Sequence, residues 1–346
     1  MNKKRRDQPA RMSDIARIAG VSASTVSRAL AGSTLVAATK REEIRRLARE
    51  RGYVINTTAR NLRLQRTQSI SVVIPLGHEA GQSLTDPFLT EMIGHVADLI
   101  TQHGYGMFLQ KVVPPMDDWL PQLIGSHRSD GIIVIGQSTE HEALEAAAAS
   151  YRPLVVWGGR LARQSYCTVG TDNVAGARTA VEHLIQSGRR RIVFLGDPAV
   201  PELGLRYQGY LLAHGRAAHQ SAPAPQGVQS QLVPAHLTAD TAYEAMRAFI
   251  DTGEAFDAVF GATDVIALSA VRAITAAGLS VPGDVAVVGY DDIMMASHAN
   301  PPLSTVRQDV QRGAQMLVDL LFRRMEGEDT PSATMPADLV IRESSA

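Results

Sequence analysis

The sequence predicts a small all-α module followed by an α/β body of two doubly wound parallel-sheet lobes, on three observations. Helical periodicity broken by a turn residue fills Arg11 to Leu30. From Ser69 onward, short apolar runs alternate with helical stretches. The charge also changes sign: residues 1–66 hold 16 Lys and Arg against 5 Asp and Glu, and the remainder holds 18 against 30. A basic head of +11 on an acidic body of -12 is the electrostatic footprint of a nucleic-acid-binding module joined to a part that stays off the phosphates.

In RMSDIARIAGVSASTVSRAL, Ile15, Ala16 and Ala19 recur at helical spacing, Gly20-Val21 interrupts them, and Ser22 opens a second helix with Val26 and Leu30 on its buried side. Gly20 can take the backbone angles of a tight corner, and the Ser22 hydroxyl can accept a bond from an otherwise unpaired amide of the next turn. Ser24, Thr25, Ser27 and Arg28 then point away from the apolar side. The pair reads as a helix-turn-helix whose second helix enters the major groove of DNA. Ser22, Thr25 and Ser27 suit phosphates, Arg28 suits a guanine edge, and the short Ala23 and Ser24 permit close approach. A third helix, from about Ala38 to Arg51, turns Ile44, Leu47 and Ala48 inward; Ala37 at its start offers no capping acceptor. Residues 1–10 read as a loose basic tail. Asn56 to Leu64, NTTARNLRL, is a short helical pattern capped by Asn56, with Ala59 and Leu62 on one face. It is too short to hold alone in water.

In the body, Ser71–Ile74, Met107–Leu109, Ile132–Ile135, Leu154–Val156, Ile192–Leu195, Ala258–Phe260 and Val285–Gly289 read as buried strands. Between them, Pro87–His103, Asp117–Ser126, His141–Ala149, Asn173–Ser187, Leu203–His214, Thr238–Thr252 and Asp264–Ala277 read as helices, with a last strand over Asp338–Ile341. Such a body binds ligands at the carboxyl ends of its strands. Catalytic motifs are absent: the one Gly-x-Gly, at Gly104 and Gly106, is not continued, and there is no phosphate loop, nucleophile elbow or His-Glu-x-x-His pair. No enzyme activity and no cofactor are expected. The ten His are scattered, with His95, His103, His183 and His214 expected on helix surfaces or in loops, so no metal site is expected. Arg189-Arg190-Arg191 reads as a solvated lobe edge. Cys167 is alone, the start MNKKRRDQPAR lacks the apolar core of a signal peptide, and no apolar run is long enough to span a bilayer. A cytoplasmic location is expected, nucleoid-associated when DNA is bound, with no membrane partner.

The chain resembles the LacI/GalR family of bacterial transcriptional regulators. The residues that carry the resemblance are Ala16-x3-Gly20-Val21-Ser22-x2-Thr25-Val26-Ser27-Arg28, Gly52-Tyr53-x2-Asn56, Ala59-x2-Leu62, Asp172-Asn173-x2-Gly176, His183-Leu184, Gly289-Tyr290-Asp291-Asp292 and Pro302-Leu303-Ser304-Thr305-Val306. They follow the family's order over nearly the whole chain. The resemblance implies a repressor that binds palindromic double-stranded operator DNA as a homodimer, its affinity set by a small effector, most simply a sugar or sugar derivative. It implies a periplasmic-binding-protein-like body whose chain crosses between lobes three times. The expected divisions are a tail over 1–10, the helix-turn-helix domain over 11–56, a hinge helix and linker over 57–67, and an effector-binding and dimerisation domain over 68–346. Its N-lobe is expected over about 68–168 plus 299–328, and its C-lobe over about 169–298 plus 329–343.

As the resemblance has it, hinge helices pair over the minor groove, with Asn56 and Ala59 beside a wedge at Leu62; inserting a wedge unstacks a base step and bends the duplex. It also makes Arg206 the arginine that grips the effector and Asp291 the aspartate that closes the other side, and places Asp86 and Phe88 where a body helix begins beside the pocket. Thr263 stands where sugar responders carry asparagine, Ala37 where the family has Ser or Thr, and Ile55 where many members have proline. The segment Gln231–Leu237 lacks the aromatic that often lies under a pyranose. Trp157, closing a strand just before Gly158 and Gly159, is the expected substitute, with Arg160 at the rim. The absence of an apolar heptad repeat after the last strand favours a dimer over a tetramer joined by a C-terminal coiled coil. The other reading is a sugar- or nucleobase-binding receptor or carrier with no DNA role, for which the recognition helix has no use.

Overall fold

The computed structural model describes residues 11–30, 32–53, 66–76, 82–113, 118–215 and 227–346. The chain divides into two compact units, Met1–Thr67 and Gln68–Ala346.

In the first unit, α1 (Met12–Ala19), α2 (Ala23–Leu30) and α3 (Ala38–Glu50) enclose Ile15, Ala16, Ala19, Val26, Ala29, Val36 and Ile44. Gly20 ends α1 in the left-handed conformation, φ 66° and ψ 33°, and its N–H returns to the Ala16 carbonyl. A side chain there would clash with the following carbonyl, which is why the corner takes glycine. The Ser22 Oγ accepts from the Thr25 N–H at 3.1 Å and so caps α2. Ala29 joins Val26 in the centre of the buried face, and Leu30, expected there, is only half-buried because α2 ends at it. Helix α3 begins at Ala37 without a side-chain cap. The hinge pattern carrying Asn56, Ala59 and Leu62 lies outside the described residues.

The second unit contains two six-stranded sheets. The first is built from β1 (Ser69–Pro75), β2 (Gly106–Val112), β3 (Gly131–Ile135), β4 (Leu154–Trp157), β5 (Cys167–Thr171) and β11 (Ala333–Met335), in the order β11-β5-β4-β3-β1-β2, all parallel. Helices α4 (Pro87–Gln102) and α12 (Val310–Met325) cover one face, packing Met92, Val96, Leu317 and Leu321 on Ile70, Val72 and Ile74. Helices α5 (Trp119–Gly125) and α6 (His141–Ala148) cover the other, packing Trp119, Leu120 and Leu144 on Val73, Ile132 and Val134. Burial of both faces is why the central strands β1, β3 and β4 read as nearly continuous apolar runs; β2, at the edge, is largely exposed.

The second sheet has β6 (Arg191–Leu195), β7 (Gln229–Val233), β8 (Ala258–Gly261), β9 (Ala286–Asp291), β10 (Ser304–Arg307) and β12 (Asp338–Val340), in the order β12-β10-β9-β8-β6-β7. All pairs are parallel except β12 against β10. Helices α7 (Asn173–Gln186), α8 (Pro201–Ala213), α9 (Ala239–Asp251), α10 (Asp264–Ala276) and the short α11 (Met294–His298) pack around it.

The chain passes between lobes after β5, after β10 and between β11 and β12. The expected lobe bounds cut β5 at 168 and fall before β10 and β11, whereas each of these strands pairs with the sheet the chain is about to leave. Asp172 and Asp309 mark two of the passages, and each accepts a hydrogen bond at 2.9 Å from an amide of the helix it opens, Ala175 and Arg312. His214, expected at the surface, is buried, with Nδ1 2.8 Å from the Tyr210 carbonyl. Arg189 is tied to the lobe by donating to the Pro282 carbonyl at 2.5 Å.

Candidate functional site

Helix α2 presents two unlike faces. Val26 and Ala29 are buried, while Ser22, Ala23, Ser24 and Arg28 are exposed and Thr25 and Ser27 half-exposed. Ser22 Oγ lies 2.8 Å from Ser24 Oγ and 2.9 Å from Thr25 Oγ1, so the hydroxyls at the start of the helix form one cluster beside its free amides. Hydroxyls and amides at a helix N-terminus suit phosphate oxygens, and Arg28 on the last turn remains free to reach further.

In the body, a cavity of about 110 Å³ lies between the two sheets. The carboxyl ends of strands line it: Pro75 of β1, Ile135 of β3, Trp157 of β4, Thr171 of β5 and Asp291 of β9. Both lobes therefore contribute their ligand-facing ends to one space.

Arg206, on α8, is buried inside this cavity. Its Nε donates to Asn173 Oδ1 at 2.8 Å, its Nη1 donates to the Ala262 carbonyl at 2.6 Å, and its Nη2 lies 3.4 Å from Asp291 Oδ1. The guanidinium carbon sits 3.7 Å from the centroid of the Tyr290 ring, a cation–π contact. Asp291 also accepts from Gln308 Nε2 at 2.7 Å, and Thr171 Oγ1 donates to Gln308 Oε1 at 2.6 Å, which links β5 of one lobe to the other lobe's aspartate. Burial pushes the Asp291 carboxyl up to about 7 against the pull of Arg206 and Gln308, and the Asp86 carboxylate adds to the rise. Asp264 lies behind it, fully buried, and burial followed by the Asp291 charge holds its pKa well above the usual carboxylate range. Its Oδ2 accepts from the Ile293 N–H at 2.9 Å and its Oδ1 accepts from the Thr305 hydroxyl.

Asp291 and Asp292 both have positive φ, 121° and 56°. Such backbone costs on the order of 1–3 kcal/mol per non-glycine residue and persists only where the surroundings over-determine it. Here Arg307 Nε at 2.7 Å and Arg342 Nη2 at 2.6 Å hold the Asp292 carboxylate while Gln308 and Arg206 hold Asp291.

Of the residues expected at the effector site, Asp86, Phe88, Trp157, Arg206, Thr263 and Asp291 line this one cavity. Arg160 does not; it is exposed, because the chain turns outward after Gly159. Thr263 spends its hydroxyl on the N-cap of α10, accepting from the Ile266 N–H at 3.2 Å. Asp86 likewise caps α4, accepting from Leu89 at 3.1 Å, and burial raises its pKa against that bond. Trp157 stands 6.0 Å from Phe88, centroid to centroid, with the far end of its indole against α12: a Cβ on Gly313 would fall 2.3 Å from Cζ3. Sequence reasoning assigned no role to Asn173, Tyr290, Glu202, Gln82 and Gln308. The first two stand inside quoted motifs and Glu202 stands four residues before Arg206; Gln82 and Gln308 carry no signal of their own.

A recognition-type helix and a two-lobed cavity with a buried Arg–Asp pair define a ligand-controlled DNA-binding regulator. Residues 11–56 match the family described as bacterial regulatory proteins, lacI family, and residues 181–345 match the periplasmic binding protein-like domain. The chain is 32% identical over 345 residues to the HTH-type transcriptional regulator CelR of Thermobifida fusca, covering 95% of this chain and 96% of that one. It is 28% identical to the HTH-type transcriptional repressor CytR of Escherichia coli strain K12, covering 99% and 98%. Among solved structures, the lac repressor dimer bound to operator and the anti-inducer ONPF matches with a TM-score of 0.85 at 26% identity over 98% of this chain and 99% of that one. The CelR–cellobiose complex matches at 0.69 and 30% over 97% and 99%. The chain belongs to the lacI family of bacterial regulatory proteins, DNA-binding transcriptional regulators. The match over 11–56 removes the basis for the reading as a receptor with no DNA role.

Proposed function

We propose that this chain represses transcription as a homodimer on a palindromic operator, and that a carbohydrate in the inter-lobe cavity sets its affinity for that DNA. The observation that carries the effector half is the meeting of Arg206 from α8 and Asp291 from β9 inside one cavity, a donor–acceptor pair suited to vicinal hydroxyls. Phe88 and Trp157 supply the apolar wall against which a pyranose face stacks. The solved relative that carries cellobiose supports the same class. In the operator half, Arg28 reads guanine, Ser22, Thr25 and Ser27 hold phosphates, Ala23 and Ser24 admit the groove wall, and Asn56, Ala59 and Leu62 serve the minor groove. Residues 11–56 bind DNA, 57–67 form the hinge and 68–346 bind effector and partner copy. The chain works in the cytoplasm on the nucleoid and catalyses nothing. No helix among the described residues is long and apolar enough to cross a membrane, and the relatives are regulators.

Anisotropy of labelled mixed operator DNA, read at two salt concentrations with and without cellobiose, tests both halves. A dimer that neutralises ~6–10 phosphates loses ~10³–10⁵-fold in affinity between ~50 and ~200 mM salt. A flat salt response rejects the operator reading. Unchanged affinity across cellobiose and a panel of other sugars rejects the carbohydrate reading.

A further inference from the structure

Among the described residues, the charged groups that line the cavity are mostly acidic. Three carboxylates line it: Asp86 from the first lobe, Glu202 and Asp291 from the second. The Glu202 Oε1 also accepts the Gln137 N–H across the cleft at 3.0 Å, so this acid belongs to both lobes. Gln82, buried to 8% exposure, also lines the cavity, and its Oε1 has no donor among the described residues. A buried acceptor left unmet costs ~1–3 kcal/mol, so this oxygen points to a donor that arrives with a ligand.

Against these acceptors stands, among the described residues, a single cationic lining residue, Arg206, which faces Asp291. Each of its three nitrogens faces a protein partner, Asn173, Ala262 or Asp291, and its flat face rests on Tyr290. An anion entering the cavity would meet three carboxylates and one guanidinium whose Nε, one Nη1 and one Nη2 hydrogen already face protein acceptors. A phosphate or carboxylate is recognised by free, forked donors, which is the opposite arrangement.

We propose that the effector is an uncharged, donor-rich polyol, and that Asp86, Glu202 and Asp291 exclude phosphorylated and acidic forms of the same molecule. This rests on the carbohydrate reading and adds the charge class of the ligand. Neutral hydroxyls placed between Asp86 of one lobe and Asp291 of the other donate to both. They thereby screen the repulsion that Asp86 exerts on Asp291 across the cleft. A phosphate ester in the same place would add to that repulsion.

The test uses the full-length chain and matched pairs of probes in calorimetric titration: cellobiose against its 6-phosphate and cellobionate, ribose against ribose 5-phosphate, and cytidine against cytidine 5′-monophosphate. In every pair that binds, the neutral member is expected to bind at least ~100-fold more tightly, the scale of a few kcal/mol that one like-charge contact costs. Asp86→Asn should narrow the gap at least tenfold. Any pair in which the charged member binds equally or better overturns the inference. Binding of cytidine but of no sugar overturns the carbohydrate reading and leaves the charge rule to be decided by the nucleoside pair. A ligand-free measurement stands beside these: in a Trp119→Phe background, Trp157 reports on the cavity wall, and the ratio of caesium to iodide quenching should exceed that of free N-acetyltryptophanamide. A ratio equal to or below that of the free amide overturns the inference whatever the probes do.

Discussion

Polar residues serve the two units of this chain under opposite conditions. In the first, the exposed and half-exposed polar side chains proposed to meet DNA run from Ser22 to Arg28 on one short helix and its cap, and Arg28 lies in solvent. In the second, the cavity draws side chains from Gln82 to Gln308, and Arg206 and Asp291 are buried at 5% and 8% exposure. An exposed recognition residue adds almost nothing to folding, so it can be exchanged at little cost in stability. A buried one holds the fold together while it waits for ligand. Specificity for DNA can therefore drift independently of stability, whereas a change of effector must be made without leaving a buried charge stranded.

The sharpest way to break that contrast is Arg206→Met. Removing one partner of a buried ion pair costs ~3–5 kcal/mol, because the remaining charge is left uncompensated. Here the carboxyl has an escape. Asp291 already titrates at about 7, and without Arg206 its pKa rises further, so at pH 5 it takes up a proton and the loss shrinks. Urea unfolding should show a larger deficit at pH 8 than at pH 5, and adding Asp291→Asn should recover much of the deficit at pH 8. Equal deficits at the two pH values would mean that Arg206 contributes packing alone.

Arg28→Ala is the counterpart in the first unit. It should leave the unfolding midpoint unchanged while costing ~1–3 kcal/mol of discrimination at one base pair per half-site. Thr25→Ala should weaken specific and random DNA alike. Equal loss on both DNAs for Arg28→Ala would remove its base-reading role and with it the contrast between the units.

The same difference in range decides how much of the molecule was legible beforehand. The three helices of the first unit, the Gly20 corner and the Ser22 cap were all readable, since each depends on neighbours within a few residues. The apolar strands were readable too. Missed were β5, β7, β10 and β11, CTVGT, QSQLV, STVR and ATM, which run to three to five residues against three or four for β4, β8 and β12, but whose polar residues break the apolar run that marked the others. Their omission shifted the lobe bounds, because β5, β10 and β11 are where the chain changes lobes. In the cavity, Arg206 and Asp291 were named through family likeness, while Gln308, which holds Asp291 in place, was not. A glutamine seventeen residues from its partner leaves no periodic trace, and only the pairing of β9 with β10 brings the two together. Arg160, expected at the rim, is exposed and does not line the cavity itself, since proximity in sequence to Trp157 does not fix where the next turn points.

The smallest expected effect probes the uncapped start of α3. Ala37 precedes α3 with φ -52° and ψ 140°, an extended conformation that a serine adopts freely, and no side chain caps the helix. Ala37→Ser supplies an acceptor for the amides of Thr39 or Lys40 and should stabilise the unit by ~1 kcal/mol, slowing exchange of those amides about fivefold. The gain should spread to the preceding loop. Arg41, in the first turn of α3, donates from Nη1 to the Gly32 and Ser33 carbonyls at 3.4 and 3.2 Å, so a firmer turn holds the exit of α2 more firmly. Operator affinity should rise less than threefold, because α2 itself is already capped by Ser22. A loss of stability in Ala37→Ser would show that the first turn of α3 is held by the Arg41 contacts in a geometry that a serine cap disturbs.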